Sequence, residues 1–173
     1  GPNQSTCYSW NLVADKAKHE IVMLMGDDVQ VQTEGWDEKI KQQIDKYKDK
    51  ILMVVPSDGR TKGTGKFKDE IKIWPDEPLP AAHFAVHKNW INTLGYLAPP
   101  FFWQKVARKL GRCLYLPTVV FKAKKMFDDT GDQVRTHLNI NNRDKFVWTK
   151  VRSRHLNADI TALQDFIKDQ QTP

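Results

Sequence analysis

Two adjacent carboxylates, Asp27 and Asp28, follow the continuous apolar run at 21–25. Such a run predicts a buried strand of a parallel sheet, and open α/β sheets bind ligands at the carboxyl ends of their strands. Neighbouring carboxylates repel each other unless a cation or a set of donors offsets their charge, and Mg²⁺ and Mn²⁺ favour oxygen ligands that they share with phosphates. The pair therefore indicates a divalent-metal site. An ordinary Asp-rich turn that accepts backbone hydrogen bonds is the simpler explanation of the dipeptide alone.

The elements around this pair alternate between helices and short apolar strands. The periodicity predicts helices at 5–18, 36–48, 88–94, 104–110 and 157–170. Strands are predicted at 20–25, 51–55, 71–74, 82–87 and 113–121, the last with an edge or bulge at Pro117. This alternation predicts an α/β fold with a mostly parallel sheet flanked by helices, in a single domain over 1–173. Residues 145–173 are predicted to form a C-terminal helical extension.

Composition narrows the class of protein. The chain has 173 residues, 40% of them hydrophobic, which suits one domain with a sizeable core. Its 27 Lys and Arg outnumber its 21 Asp and Glu, and the net charge of +6 favours nucleotides, phosphates, nucleic acid or anionic surfaces as partners. No apolar run reaches the roughly 18 residues of a membrane helix, so no membrane span is predicted. The two distant cysteines indicate reduced thiols in a cytoplasmic protein.

Several features occur in an order that is similar to one enzyme family. Asn11 lies in the first helix, the acidic pair ends the apolar strand, Gly35-Trp36-Asp37 opens the next helix, and segment 83–96 runs from a strand through a short helix to Gly-Tyr. In this order they resemble the family 2 glycosyltransferases over about residues 3–96, with a weaker similarity at 111–120. The resemblance implies a GT-A, Rossmann-like fold. It also implies transfer of a sugar from a UDP- or GDP-linked nucleotide sugar to an acceptor hydroxyl, with inversion at the anomeric carbon.

The resemblance also implies roles for individual residues. Asp28 would bind Mn²⁺ or Mg²⁺, and Asp27 would help to hold the metal or lie against the donor ribose. Asn11 would line the nucleotide pocket, and His83 would point towards the donor phosphates. Two alternatives stay open: Asn11 as a helix residue bonded to a neighbouring loop, and His83 as a core histidine. For Trp36 a role as the core anchor of its helix is favoured.

The catalytic base is less well defined by the sequence. Asp76 and Glu77 are the predicted catalytic residues because they lie in a proline-bounded turn that would approach the acceptor, while solvated loop charges are the alternative. Basic residues of the Gly- and Lys-rich loop, such as Arg60, Lys62 and Lys66, would close over the phosphates.

Two of the points at which the chain departs from the family pattern concern the donor site. Gly26 stands where many relatives carry the first acid of the motif, so the metal site is one carboxylate poorer. The family's first strand, with its turn that grips the base, is expected before Asn3, so the domain is predicted to lack that strand.

Two other functions compete with this prediction. The basic segment 105–125 and the aromatic residues suit a nucleic-acid-binding module, and a glycosyltransferase acting on modified DNA would combine both functions. The acceptor is thus a glycan or a nucleic acid. The other alternative is an inactive glycosyltransferase-like domain kept as a structural or interaction part.

Overall fold

The computed structural model of the chain describes residues 6–26, 29–57, 72–73, 83–96, 100–123 and 142–172. Within these ranges the helices are α1 (Thr6–Lys16), α2 (Trp36–Asp45), α3 (Lys88–Leu94), α4 (Pro100–Lys109) and α5 (Asn142–Gln171). The strands are β1 (Ile21–Leu24), β2 (Val29–Val31), β3 (Met53–Ser57), β4 (Lys72–Ile73), β5 (Phe84–His87) and β6 (Cys113–Ala123). The chain is therefore a small α/β domain. The acidic pair at 27–28, the basic loop at 60–68 and the predicted catalytic residues Asp76 and Glu77 lie outside the described residues.

The described strands form one mixed, curled sheet in the order β1-β5-β3-β6-β2, with β4 pairing β6 beside this path. Among the described strand pairs, only β3 and β6 run parallel; the β1–β5, β3–β5, β2–β6 and β4–β6 pairs are antiparallel. The prediction of a mostly parallel sheet was wrong for these strands. The reason is physical: a strand covered on both faces is a continuous apolar run in either direction, so composition does not reveal its orientation.

Strand β6 is long enough to pair with three strands, β3, β4 and β2. Its first half pairs with β3, and the register shifts between Pro56 and Ser57, which lie opposite Leu116 and Val120. This irregularity falls where the sequence predicted an edge or bulge, at Pro117. The second half of β6 pairs with β2, a strand of three residues that the sequence did not predict because three residues are too few to show an alternating pattern.

The side chains of the sheet divide into two cores. Met53 and Val55 of β3 belong to a large cluster on the face covered by α1, α3, α4 and α5, whereas Val54 belongs to a second cluster on the face covered by α2. This division follows from the alternation of side chains along a strand. Leu163 of α5 is completely buried in the first cluster, so the C-terminal helix contributes to the core of the domain.

Local signals set the ends of two helices. In α3, His87 caps the first turn by accepting a hydrogen bond from the Asn89 N–H, and Gly95 ends the helix at a φ of 76°. The predicted bounds 88–94 are confirmed. In α2, the helix begins at Trp36 after Gly35, which has a φ of 62°, a conformation that favours glycine.

Candidate functional site

One edge of the sheet collects the strand ends that flank the acidic pair. β1 ends at Leu24, which lies opposite Phe84 in the antiparallel ladder with β5. His83, just before β5, therefore lies beside the residues that leave β1. Ser57 at the end of β3 is buried and pairs with Val120 of β6 at the same edge. The chain leaves this edge at Gly26 and is described again from Val29, in β2.

His83 is a buried residue of this edge. It is 6% exposed, and its Nδ1 accepts a hydrogen bond from the Gly26 N–H at 3.5 Å. An imidazole that accepts at Nδ1 carries its proton on Nε2 when it is neutral. The ring also meets Phe121 of β6 edge-on, with 6.3 Å between ring centroids. His83 thus connects the end of β1 to β6, next to the predicted metal-binding residues.

The segment that follows the acidic pair is held by β6. Val29 lies opposite Ala123 in the β2–β6 ladder. The Gln32 N–H donates to the Val120 carbonyl oxygen at 2.9 Å, and the Val120 N–H donates to the Thr33 hydroxyl oxygen at 2.9 Å. The segment that follows the acidic pair is therefore fixed to β6.

Trp36 lies further along the same segment. Its ring contacts Phe121 in an edge-to-face arrangement, with 5.3 Å between centroids, and it packs against the second core cluster. Edge-to-face pairs of this kind stabilise beyond the area that they bury. The favoured interpretation of Trp36 as the core anchor of its helix agrees with this position.

Two of the predicted site residues can be located. Asn11 lies half-buried on α1, whose Ala14 packs into the first core cluster. His83 lies at the sheet edge and contacts Gly26, which precedes the acidic pair. The functions of Asn11 and His83 stay predictions, as do those of Asp27, Asp28, Asp76 and Glu77.

Sequence reasoning missed two residues that shape this edge. Phe121 contacts both His83 and Trp36, although the sequence marked it only as part of a strand. The Thr33 hydroxyl accepts a hydrogen bond from the Val120 N–H and donates one to the Thr118 carbonyl oxygen at 3.4 Å. These two bonds attach the segment before α2 to β6. A threonine just ahead of a glycine and a helix is a usable signal, since such hydroxyls often bond to nearby backbone.

A separate cavity of about 570 Å³ lies between β1 and α2. Its lining includes the apolar side chains of Ile21, Met23, Trp36 and Ile40 and the carboxylates of Glu20, Asp37, Glu38 and Asp45. The size is that of a ligand pocket. Neither Asn11 nor His83 lines it, so it is distinct from the edge at which the predicted site lies.

Neither the described side chains nor known proteins add a second indication of function. Within the described ranges, no three His, Cys, Asp or Glu side chains are grouped so that they could hold a metal ion, and no helix is long and apolar enough to cross a membrane. No family model, curated protein or solved structure matches the chain. The resemblance to the glycosyltransferases therefore rests on the sequence motifs.

Proposed function

We propose that this chain is a glycosyltransferase domain that moves a sugar from a UDP- or GDP-linked donor to an acceptor hydroxyl. Asp28, helped by Asp27, would hold Mn²⁺ or Mg²⁺. The observation that supports this best is the anchoring of Gly26 and Val29, the two neighbours of the acidic pair, at one edge of the sheet. That edge lies at the carboxyl ends of β1 and β3, where α/β sheets bind their ligands.

The chemistry of the donor set fits a hard divalent cation. Aspartate oxygens are the ligands that Mg²⁺ and Mn²⁺ favour, and phosphate oxygens commonly complete their coordination. His83 accepts from the Gly26 N–H through Nδ1, so that nitrogen is already engaged by the backbone. When bound, the metal would offset the negative charge that builds on the diphosphate leaving group.

The remaining roles follow from the sequence. Asn11 would line the nucleotide pocket, and Arg60, Lys62 or Lys66 would neutralise the phosphates. Asp76 or Glu77 would take the proton of the acceptor hydroxyl. A base of this kind must come within hydrogen-bond reach of that proton in the substrate complex.

Calorimetry tests the proposal directly. UDP, GDP and dTDP are titrated into the protein with and without Mn²⁺, beside Asp28→Asn and the control Asp37→Asn. The control makes the same charge change at an exposed position in the first turn of α2. We expect Mn²⁺-dependent binding of one nucleotide that is lost in Asp28→Asn and kept in Asp37→Asn. Equal binding by both variants would contradict the assignment of the metal to Asp28, and a lack of both Mn²⁺ and nucleotide binding would contradict the function.

A nucleic-acid-binding module is the second candidate, supported by the exposed Lys105 and Lys109 of α4 and Lys122 of β6. Lys105 and Lys109 are four residues apart and so share one face of the helix. If this function is correct, the affinity for DNA falls steeply with salt, because each neutralised phosphate adds about 0.9 to the slope of log affinity against log salt. Replacing both α4 lysines by glutamine would then lower that slope. A glycosyltransferase acting on modified DNA would show both this behaviour and Mn²⁺-dependent nucleotide binding.

A further inference from the structure

The two neighbours of the acidic pair are attached to different strands. On one side, the Gly26 N–H donates to His83 Nδ1, which belongs to the residue before β5. On the other side, Val29 opens β2 and lies opposite Ala123 of β6. Two residues of the sequence, Asp27 and Asp28, separate Gly26 from Val29.

The two attachments also contact each other. The His83 ring meets the Phe121 ring at a centroid distance of 6.3 Å and an interplanar angle of 80°. Phe121 lies opposite Val31 in the β2–β6 ladder, and its ring is completely buried. Contacts therefore run without a break from Gly26 through His83 and Phe121 to β2.

We propose that His83 is a positioning residue that fixes Gly26 relative to β6 and so sets the separation between Gly26 and Val29. As far as the metal is concerned, this inference rests on the proposed function. Adjacent carboxylates repel each other, and a site that holds them ready for a cation must prevent them from moving apart. A histidine suits the position because one ring supplies both an acceptor for an N–H and an edge for an aromatic neighbour.

This role differs from that of a phosphate ligand. His83 is 6% exposed, and its Nδ1 is directed at the backbone of Gly26. The Gly26 bond is long at 3.5 Å, so its contribution lies at the low end of the range for hydrogen bonds. The substitutions that separate the two roles are those that keep or remove an acceptor at this point.

Amide hydrogen exchange measured by NMR at Gly26 tests the anchor without any ligand. In His83→Leu, which keeps an apolar side chain against Phe121, exchange of the Gly26 amide should speed up about threefold, as expected for losing about 0.7 kcal/mol of local protection. His83→Asn keeps a side-chain acceptor and should exchange at close to the wild-type rate. His83→Phe replaces His83→Leu if the latter does not fold.

His87 provides the matched control on the other end of the same strand. Its Nδ1 accepts from the Asn89 N–H at 3.0 Å. His87→Leu should speed exchange at Asn89 and leave Gly26 unchanged. Equal exchange at Gly26 in the wild type and in His83→Leu would overturn the proposal.

Mn²⁺ titration then connects the anchor to the metal. We expect the affinity for Mn²⁺ to be about threefold weaker in His83→Leu, near wild type in His83→Asn, and unchanged in His87→Leu. If Gly26 loses protection in His83→Leu while Mn²⁺ affinity stays the same, the positioning role is wrong and the proposed function stands. If the wild type binds no Mn²⁺, the proposed function fails, and exchange at Gly26 alone decides whether His83 sets the position of this backbone.

Discussion

The two ends of the central sheet both carry acidic residues, in contrasting surroundings. Where β3 and β6 begin, the buried carboxylate of Asp49 is paired with the Arg112 guanidinium and accepts a hydrogen bond from the Ile51 N–H. The sequence carries two aspartates in tandem, Asp27 and Asp28, between the anchored residues Gly26 and Val29. The first arrangement supplies the counter-charge from within the fold, whereas in the proposed function the second receives a cation from outside.

Asp49 is joined to three elements of the domain. Its carboxylate accepts from the Ile51 N–H at 2.7 Å and from Arg112 Nη2 at 3.1 Å. Its carbonyl oxygen accepts from Asn89 Nδ2 at 3.1 Å, and the Arg112 guanidinium lies 4.4 Å from the centre of the Tyr47 ring. The starts of β3, α3 and β6 thus meet at one residue, which is 3% exposed.

The contrast shows how a fold can separate stability from function. A buried carboxylate with a fixed cation is costly to disturb, because removing either partner leaves the other charge without compensation. A carboxylate pair reserved for a ligand contributes little to folding until the ligand binds. Substitutions at the two ends should therefore have opposite effects on stability and on metal binding.

The largest expected effect is that of Asp49→Ala. It leaves the Arg112 guanidinium and the Ile51 N–H without their acceptor, and we expect the free energy of unfolding to fall by about 3 kcal/mol. Denaturant titration measures this change. Asp49→Asn keeps an acceptor for the Ile51 N–H and should cost less, and the folded fraction of either variant should bind Mn²⁺ as the wild type does. A loss of Mn²⁺ affinity in folded Asp49→Ala would contradict the claim that stability and metal binding depend on opposite ends of the sheet.

Much of the framework could be predicted from the sequence because its signals are local. The apolar spacing in α2 and the glycine that ends α3 depend on neighbours within a few residues, and both predictions agree with the structure. Strand direction could not be predicted, since it depends on which distant segments pair. The network at Asp49 was missed for the same reason: Arg112 is 63 residues away in sequence.

The candidate site was predictable to a smaller extent. The resemblance located the acidic pair and singled out His83, but the contact of His83 with Gly26 spans 57 residues and appears only in the folded chain. Phe121 had no sequence signal beyond its strand, because an aromatic residue in an apolar run is ordinary. What joins these residues is the crossing of strands at one edge, and that information is tertiary.

A second buried carboxylate offers an intermediate case, with a hydroxyl in place of a cation. Asp159 of α5 accepts a hydrogen bond from the Tyr96 hydroxyl and is 7% exposed. Tyr96→Phe removes this donor, and we expect a loss of about 1.5 kcal/mol at pH 7, roughly half of the cost at Asp49. Thermal unfolding measures the change. A loss as large as that of Asp49→Ala would show that a tyrosine hydroxyl compensates a buried carboxylate as fully as a guanidinium does.

Asp159 should also make the stability of the domain depend on pH. Burial raises the pKa of Asp159 above its ordinary value of 3.8, against the opposing effects of Tyr96 and His155. The folded state therefore holds this proton more tightly than the unfolded state. The stability that the protonated Asp159 carboxyl contributes is fully present below pH 3.8 and is lost as the pH rises through the raised pKa. Asp159→Asn, which mimics the neutral acid, should gain stability relative to the wild type as the pH rises from about 3 to 7. A constant difference across this range would contradict the raised pKa.

The smallest effect on folding is expected at the other end of the sheet. Without metal, Asp28→Asn should change the free energy of unfolding by no more than about 0.5 kcal/mol, because it removes one of two like charges. With Mn²⁺ at about 100 times its dissociation constant, the wild type should gain about 2.7 kcal/mol and Asp28→Asn almost none. Folded Asp49→Ala should gain as much as the wild type, because Asp49 lies at the opposite end of the sheet and its substitution leaves the acidic pair unchanged. Thermal unfolding of the three proteins with and without Mn²⁺ measures these gains. Equal gains in all three would mean that the ion binds elsewhere, and the acidic pair would then not differ from Asp49 as a metal-binding site.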